Sequence, residues 1–317
     1  MPPRSVVLVA FPECQLLDIS GPAGVFGAAS DLPGARGYRV TVVSVEGGEL
    51  VTSCGLTIMT RAAAEVEPSG VNLLLVVGGS PTGLAALRSD ERMRVWARAV
   101  ARTAERFGSV CTGAFAVAAW GLAERKRVAT HWGAARRLAE RFPDVKVDPA
   151  PLYVVDGKLW TSAGVTAGID MALAMVAADE GEVVAASVAR RLVLPLRRSG
   201  NQAQHSRLLE AQSGADGRYG ELISWLAVNL DRSHRVQDLA SRVGETERSF
   251  QRHFRQATGH PPGSFITKLR LERARDLLAT GRSVKETARA CGYATPEQLS
   301  RAYQRSSGAP PSTVRRS

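Results

Sequence analysis

The chain has 317 residues, 44% of them hydrophobic and 22% charged, with a net charge of +11 at neutral pH. That composition excludes a disordered or fibrous protein, and the length suits about two domains. The charge is unevenly placed. Residues 1–195 carry 20 basic and 19 acidic side chains, net +1, whereas residues 196–317 carry 21 and 11, net +10. A neutral two-thirds joined to a basic third points to a sensor or enzyme module attached to a polyanion-binding module.

The cysteines, Cys14, Cys54, Cys111 and Cys291, have neither CxxC spacing nor histidines at metal-ligand distances. A metal site and a disulfide framework are therefore not expected, and reduced thiols fit a cytoplasmic protein. The first apolar run, Val6–Phe11, ends at Pro12 and is too short for the core of a signal peptide. No run reaches the ~18 apolar residues of a membrane span, so the protein is expected to stay off the membrane.

In chain order, Val6–Phe11, Val40–Val45 and Leu73–Val77 read as strands covered on both faces, because they are β-branched or leucine-rich with little polar alternation. Amphipathic stretches such as Asp90–Arg106 and Trp132–Phe142 read as helices between and after them. The alternation predicts an α/β domain over 1–195 with a flavodoxin-like, mainly parallel sheet. Ligand sites in such sheets lie beyond the carboxyl ends of the strands. Three strand ends there carry chemistry: Asp18 ahead of Gly21-Pro22, the pair Gly78-Gly79 with free backbone N–H groups, and Cys111-Thr112-Gly113 after Gly108–Val110. A cysteine on a tight strand-to-helix turn is expected to face solvent, its thiolate favoured by the N-terminus of helix Ala114–Trp120.

The segments FPECQLLDISGP (11–22), VVGG (76–79), VCTGAF (110–115), VATHW (128–132) and TSAGVTAGIDMAL (161–173) resemble the DJ-1/PfpI, class I amidotransferase-like superfamily. Peptidase-like members place a histidine directly after the nucleophile, where this chain has Thr112. The resemblance is nearer to isonitrile-hydratase-like proteins, whose active residues map onto Asp18, Cys111 and Thr112. Three readings of the domain stand side by side: an effector pocket, a vestigial site kept for dimerisation with Asp18 capping a helix that begins near Gly21, and a working hydratase or amidase at Cys111. His131 reads as a pocket-wall or packing residue beside a core Trp132.

Residues 196–219, rich in Gly, Ser, Gln and Arg, read as a linker to an all-α domain over 220–317. An internal repeat defines that domain. Val236–Ala240 and Gly244 match Val284–Ala288 and Gly292 at an offset of 48, and Phe250, Arg252, Phe254, Gly259 and Pro261 match Leu299, Arg301, Tyr303, Gly308 and Pro310 at an offset of 49. Each copy is a helix, a glycine turn and a second helix: two helix-turn-helix motifs, at about 236–256 and 284–305. Thr246 and Thr295 are N-cap positions, and Pro296 sits at the first helical position. Groove geometry places Arg248, Gln251 and Arg252 at base edges in the first motif, and Glu297, Gln298, Ser300 and Arg301 in the second. Arg255, Lys268, Arg270 and Arg305 are the expected phosphate anchors.

The stretch FITKLRLERARDLLATGRSVKETARACGY at 265–293 resembles the AraC/XylS-type DNA-binding domain, with Thr287 where an aliphatic residue is usual. Joined to the DJ-1/PfpI-like domain, it resembles the GlxA-type branch of AraC regulators. That resemblance implies a sequence-specific transcription regulator with no cofactor, whose two recognition helices enter successive major grooves of double-stranded DNA. It also implies a homodimer through the N-terminal domain, a small-molecule effector of the amino-acid or amine class, and RNA polymerase as a further partner.

Overall fold

The leucine- and valine-rich runs form the strands of a central sheet, and the amphipathic stretches form helices against it. The computed structural model describes residues 2–194, 198, 200, 219–279, 281–307 and 310–311. The chain divides into two units, Met1–Gln204 and His205–Ser317. Most of the expected linker lies outside the described residues. Of it, Arg198 and Gly200 are held against the first unit: Gly200 O accepts the Leu152 N–H at 2.8 Å, and the Arg198 guanidinium grips Asp170 at 2.6 Å.

In the first unit the strands are β1 (Arg4–Val9), β2 (Tyr38–Ser44), β3 (Gly48–Val51), β4 (Thr57–Ala62), β5 (Leu73–Val76), β6 (Arg106–Val110), β7 (Arg127–Val128), β8 (Lys146–Val147), β9 (Tyr153–Asp156) and β10 (Leu159–Ser162). Among the described residues, one sheet runs β3-β4-β2-β1-β5-β6-β10-β9 and β7 pairs with β8. The sheet is parallel from β4 through β10, with an antiparallel strand at each edge. The chain steps from β1 to β2 on one side and later to β5 on the other, so strand order reverses at β1, where such sheets place ligands. Val6 to Val9 and Leu73 to Val76 are almost wholly buried, as the two-sided apolar pattern requires.

The helices of this unit are α1 (Leu16–Ser30), α2 (Pro81–Ser89), α3 (Glu91–Thr103), α4 (Ala114–Ala119), α5 (Trp132–Arg141), α6 (Thr166–Glu180) and α7 (Glu182–Arg191). Helix α1 starts at Leu16 with Gln15 as its N-cap, not near Gly21, so Asp18 lies within its first turn and does not cap it. Trp132 is 54% exposed, not core: it opens α5 and lies against the His131 ring, 5.3 Å between centroids. The two edge hairpins, β3–β4 and β9–β10, have no counterpart in the strands read from sequence.

The second unit is helical: α8 (Gly220–Val228), α9 (Val236–Arg242), α10 (Glu247–Thr258), α11 (Pro262–Ala279), α12 (Val284–Ala290) and α13 (Pro296–Ser307). Helices α9–α10 and α12–α13 are the two helix-turn-helix pairs, with Gly244 and Gly292 at φ +70° and +72° in the turns. Each pair has its own small core. Phe250 and Phe254 pack with Leu222, Ile223, Leu239 and Phe265 in the first, and Leu299 and Tyr303 with Leu271, Ala288 and Cys291 in the second. Helix α11 contributes to both.

Candidate functional site

The carboxyl ends of β5, β6 and β10 meet the first turn of α1 around two side chains. Asp18 is fully buried, and its two oxygens accept N–H groups from different strand ends: Gly78 at 3.1 Å and Val165 at 2.7 Å. The Cys111 thiol donates to the same carboxylate. Gly79 donates to the Thr112 hydroxyl at 3.1 Å, so neither glycine N–H is free, contrary to the expectation from sequence. Asp18, Cys111, Thr112, Gly78 and Gly79 are thus one cluster, although 93 residues separate Asp18 from Cys111.

Cys111 sits on the strained turn expected of it, at φ +57°, but only 8% of it is exposed. Burial, reinforced by the Asp18 charge, pushes its thiol from 9.0 up to about 12. The expected thiolate stabilisation by the following helix is therefore overturned: desolvation and a like charge outweigh the end of a six-residue helix. Burial also raises Asp18, against the pull of its three hydrogen-bond donors.

Sequence reasoning missed the loop that closes the cluster. Gly164 has φ +102°, and a Cβ there would overlap the Cβ of Cys111 and stand 2.7 Å from its Sγ. Val165, a β-branched residue at φ +48°, presents its N–H to Asp18. Thr130 donates to the Cys111 carbonyl at 2.9 Å. The glycines of TSAGVTAG were the available signal, because a glycine just before a helix marks a close backbone approach. His131 is the half-buried N-cap of α5, its Nδ1 accepting the Gly133 N–H at 3.2 Å, with its ring against that of Trp132. Among the described residues, no cluster of His, Cys, Asp or Glu could hold a metal ion.

In the second unit, Thr246 caps α10 by accepting the Ser249 N–H at 3.3 Å, and Phe250 and Phe254 are wholly buried. That orientation leaves Arg248, Gln251, Arg252 and Arg255 exposed on one face, at the i, i+3, i+4, i+7 spacing. Gln251 donates to Glu247 at 3.1 Å, and Arg252 lies 3.1 Å from His253 Nε2. On α13, Glu297, Gln298, Arg301 and Arg305 are exposed and Ser300 is half-buried.

Two expected phosphate anchors are engaged within the unit. Arg270 is half-buried, with Nε on the Leu230 carbonyl at 3.0 Å, a terminal nitrogen on the Arg232 carbonyl at 2.6 Å, and its guanidinium 5.8 Å from the Tyr293 ring centroid. It ties the loop after α8 to the turn of the second motif, so it is a structural bridge rather than a free anchor. A Cβ at Gly292 would collide with this guanidinium and with the Leu230 carbonyl. Lys268 Nζ lies 2.8 Å from the His260 ring. Arg242, absent from the sequence-derived set, stacks on Trp225 at 4.0 Å and holds α9 to α8.

A parallel α/β unit in one chain with two helix-turn-helix motifs, the first presenting a cationic face, has the construction of a DNA-binding regulator. Residues 4–178 match the DJ-1/PfpI family and residues 239–317 match a helix-turn-helix domain. The HTH-type transcriptional regulator GbdR of Pseudomonas aeruginosa is 29% identical over 313 residues, 98% of this chain and 83% of that protein. The HTH-type transcriptional regulator CdhR of the same species is 31% identical over 280 residues, 88% and 82% of the two chains. An isonitrile hydratase of Pseudomonas putida is 33% identical over 166 residues, 52% of this chain and 67% of that one. The chain belongs to the DJ-1/PfpI family, in the group whose members also carry an AraC-type DNA-binding domain, and it is a helix-turn-helix transcription regulator. No helix among the described residues is long and apolar enough to cross a membrane.

Proposed function

We propose that α10 reads operator bases through Arg248, Gln251 and Arg252 while Arg255 holds the phosphate backbone. The observation that carries this assignment is the orientation of α10: Phe250 and Phe254 fill the core, so the polar face is the one a major groove would meet. Arg at this face suits guanine O6/N7 and Gln suits adenine N6/N7.

The first unit acts as an effector-responsive, dimerising domain of a cytoplasmic protein, not as an enzyme. A thiol held near 12 is about one part in 100,000 thiolate at pH 7, so any turnover would require Asp18 to take its proton. Yet Cys111 and Val165 both keep strained positive φ values, at roughly 1–3 kcal/mol each, and such strain persists where a site is over-determined. A retained, pre-shaped junction whose thiol rests protonated suits binding better than turnover. Effectors of the amino-acid or amine class are the first to try, on the family resemblance.

The test is operator titration of the full chain with and without such metabolites, alongside isonitrile-hydration and amide-hydrolysis assays. A metabolite that shifts operator affinity in the wild type and not in Cys111→Ala supports the proposal. Turnover that disappears in Cys111→Ala would establish the enzyme instead.

A further inference from the structure

The first motif carries a relay of polar side chains that ends on one of its base readers. Tyr219 is buried, its ring centroid 5.9 Å from that of Phe250 and 5.5 Å from that of Phe254, and its hydroxyl donates to Glu245 Oε1 at 2.9 Å. Glu245 lies in the turn between α9 and α10 with only 9% of its side chain exposed, and its Oε2 stands 3.3 Å from Nδ1 of His253 on α10. Nε2 of the same ring is 3.1 Å from a terminal nitrogen of Arg252. A guanidinium can only donate, so Nε2 must be the acceptor, which leaves the imidazole proton on Nδ1, facing the Glu245 carboxyl. Each neighbour of His253 thus favours the tautomer the other needs, and Arg252 is tied through His253, Glu245 and Tyr219 to the core of its motif.

The second motif is an internal comparison. Tyr293, after Gly292, stands where Glu245 follows Gly244, and Ala302 stands where His253 follows Arg252. Ala302 is buried and has no polar side chain, yet α12 and α13 form the same pair of helices over their own core. A helix-turn-helix in this chain therefore forms without an imidazole and a carboxyl at these places. What the relay changes is the freedom of Arg252, which is exposed. An exposed arginine occupies many rotamers and loses them when it binds, and a partner that holds it beforehand reduces that loss.

We propose that His253 is a positioning residue for specificity: it holds the Arg252 guanidinium ready for a base edge, and Glu245 and Tyr219 hold His253. The inference rests on base reading by Arg252 and deepens it, because His253 acts through Arg252 and not on the DNA.

It is tested with the full chain as wild type, His253→Leu, His253→Gln, Arg252→Ala and the double variant Arg252→Ala/His253→Leu, on a selected operator and on an unrelated duplex at one salt concentration. His253→Leu should lose about 3- to 10-fold on the operator, the cost of ordering one long side chain, and little on the unrelated duplex. In the Arg252→Ala background the same substitution should cost nothing more, because the side chain it positions is gone. His253→Gln, which keeps an acceptor for Arg252, should retain more operator affinity than His253→Leu. A loss that is equal on the two duplexes, or that persists undiminished without Arg252, would show that His253 only supports the fold and would overturn the proposal. Unchanged operator affinity in His253→Leu would overturn it too, and a gain would show that the contact draws Arg252 away from the groove. Failure of Arg252→Ala itself to discriminate the operator from the unrelated duplex would remove the base-reading role, a result distinct from these.

Discussion

The buried thiol offers the sharpest quantitative expectation, because its environment opposes the reactivity that its turn geometry invites. Cys111 is raised from 9.0 to about 12 by burial and by Asp18, whereas exposed Cys54 is lowered by its hydrogen bond with Thr52. At pH 8 an ordinary thiol is about one-tenth thiolate and Cys111 about one part in ten thousand, a deficit of roughly 1,000-fold. Higher basicity makes the rare thiolate more nucleophilic, which returns about 15- to 30-fold. Iodoacetamide should therefore label Cys111 at least about 30-fold more slowly than an ordinary thiol, before steric exclusion is counted. Peptide mapping of timed samples measures both cysteines together, with Cys54 as the internal reference. In urea the two rates should converge. Asp18→Asn removes the second-largest cause of the shift, so labelling of Cys111 should accelerate. Labelling of folded Cys111 as fast as Cys54 would refute the buried, protonated thiol.

The same shift has a stability consequence whose sign is fixed. Between about pH 9 and 12 the folded chain keeps a proton that the unfolded chain has lost, so stability falls with rising pH by up to about 1.4 kcal/mol per unit. Cys111→Ala should reduce the measured slope in urea titrations, leaving the part owed to Cys14 and Tyr38, and an unchanged slope would contradict the assignment. Gly164→Ala should cost about 3 kcal/mol or more, because its Cβ overlaps Cys111 at a φ of +102°. Gly24→Ala, exposed on α1 with open space around it, should instead be neutral or stabilising by up to ~1 kcal/mol. Equal effects of the two in urea unfolding would show that the glycine cradle is not tight. Thr287 is wholly buried, and its hydroxyl has no hydrogen-bond partner among the described residues. Thr287→Val should raise the unfolding midpoint of the helical unit, by about 1 kcal/mol in stability, and a lowered midpoint would mean the hydroxyl is satisfied.

Elements with a clear period or a two-sided apolar run were legible from sequence, as β1, β5, α3 and the helix-turn-helix pairs illustrate. Helices α1 and α6 were harder, because LLDISGPAGVFGAAS and TAGIDMALAMVAADE are small, apolar and interrupted by Gly or Pro, with no polar stripe to set a period. Helix α1 consequently begins five residues before Gly21, and Asp18 changes from a cap into the acceptor that joins two strand ends. The site's residue types were visible, but its electrostatics were not. Whether a cysteine after a strand is activated depends on burial and on which carboxylate faces it, and both are set by segments far away in the chain. Arg270 shows the same limit in the second unit: its charge suggested a phosphate anchor, and only the fold reveals the carbonyls of Leu230 and Arg232 that engage it.

The central claim, that the exposed face of α10 reads the operator, is tested most directly by titrating wild type and Arg252→Ala on a selected operator and on random DNA at one salt concentration. The account predicts a loss of about 5- to 100-fold on the operator, the discrimination of one base contact, with a much smaller loss on random DNA. Equal losses on both would contradict it, placing Arg252 on the backbone and the sequence reading elsewhere.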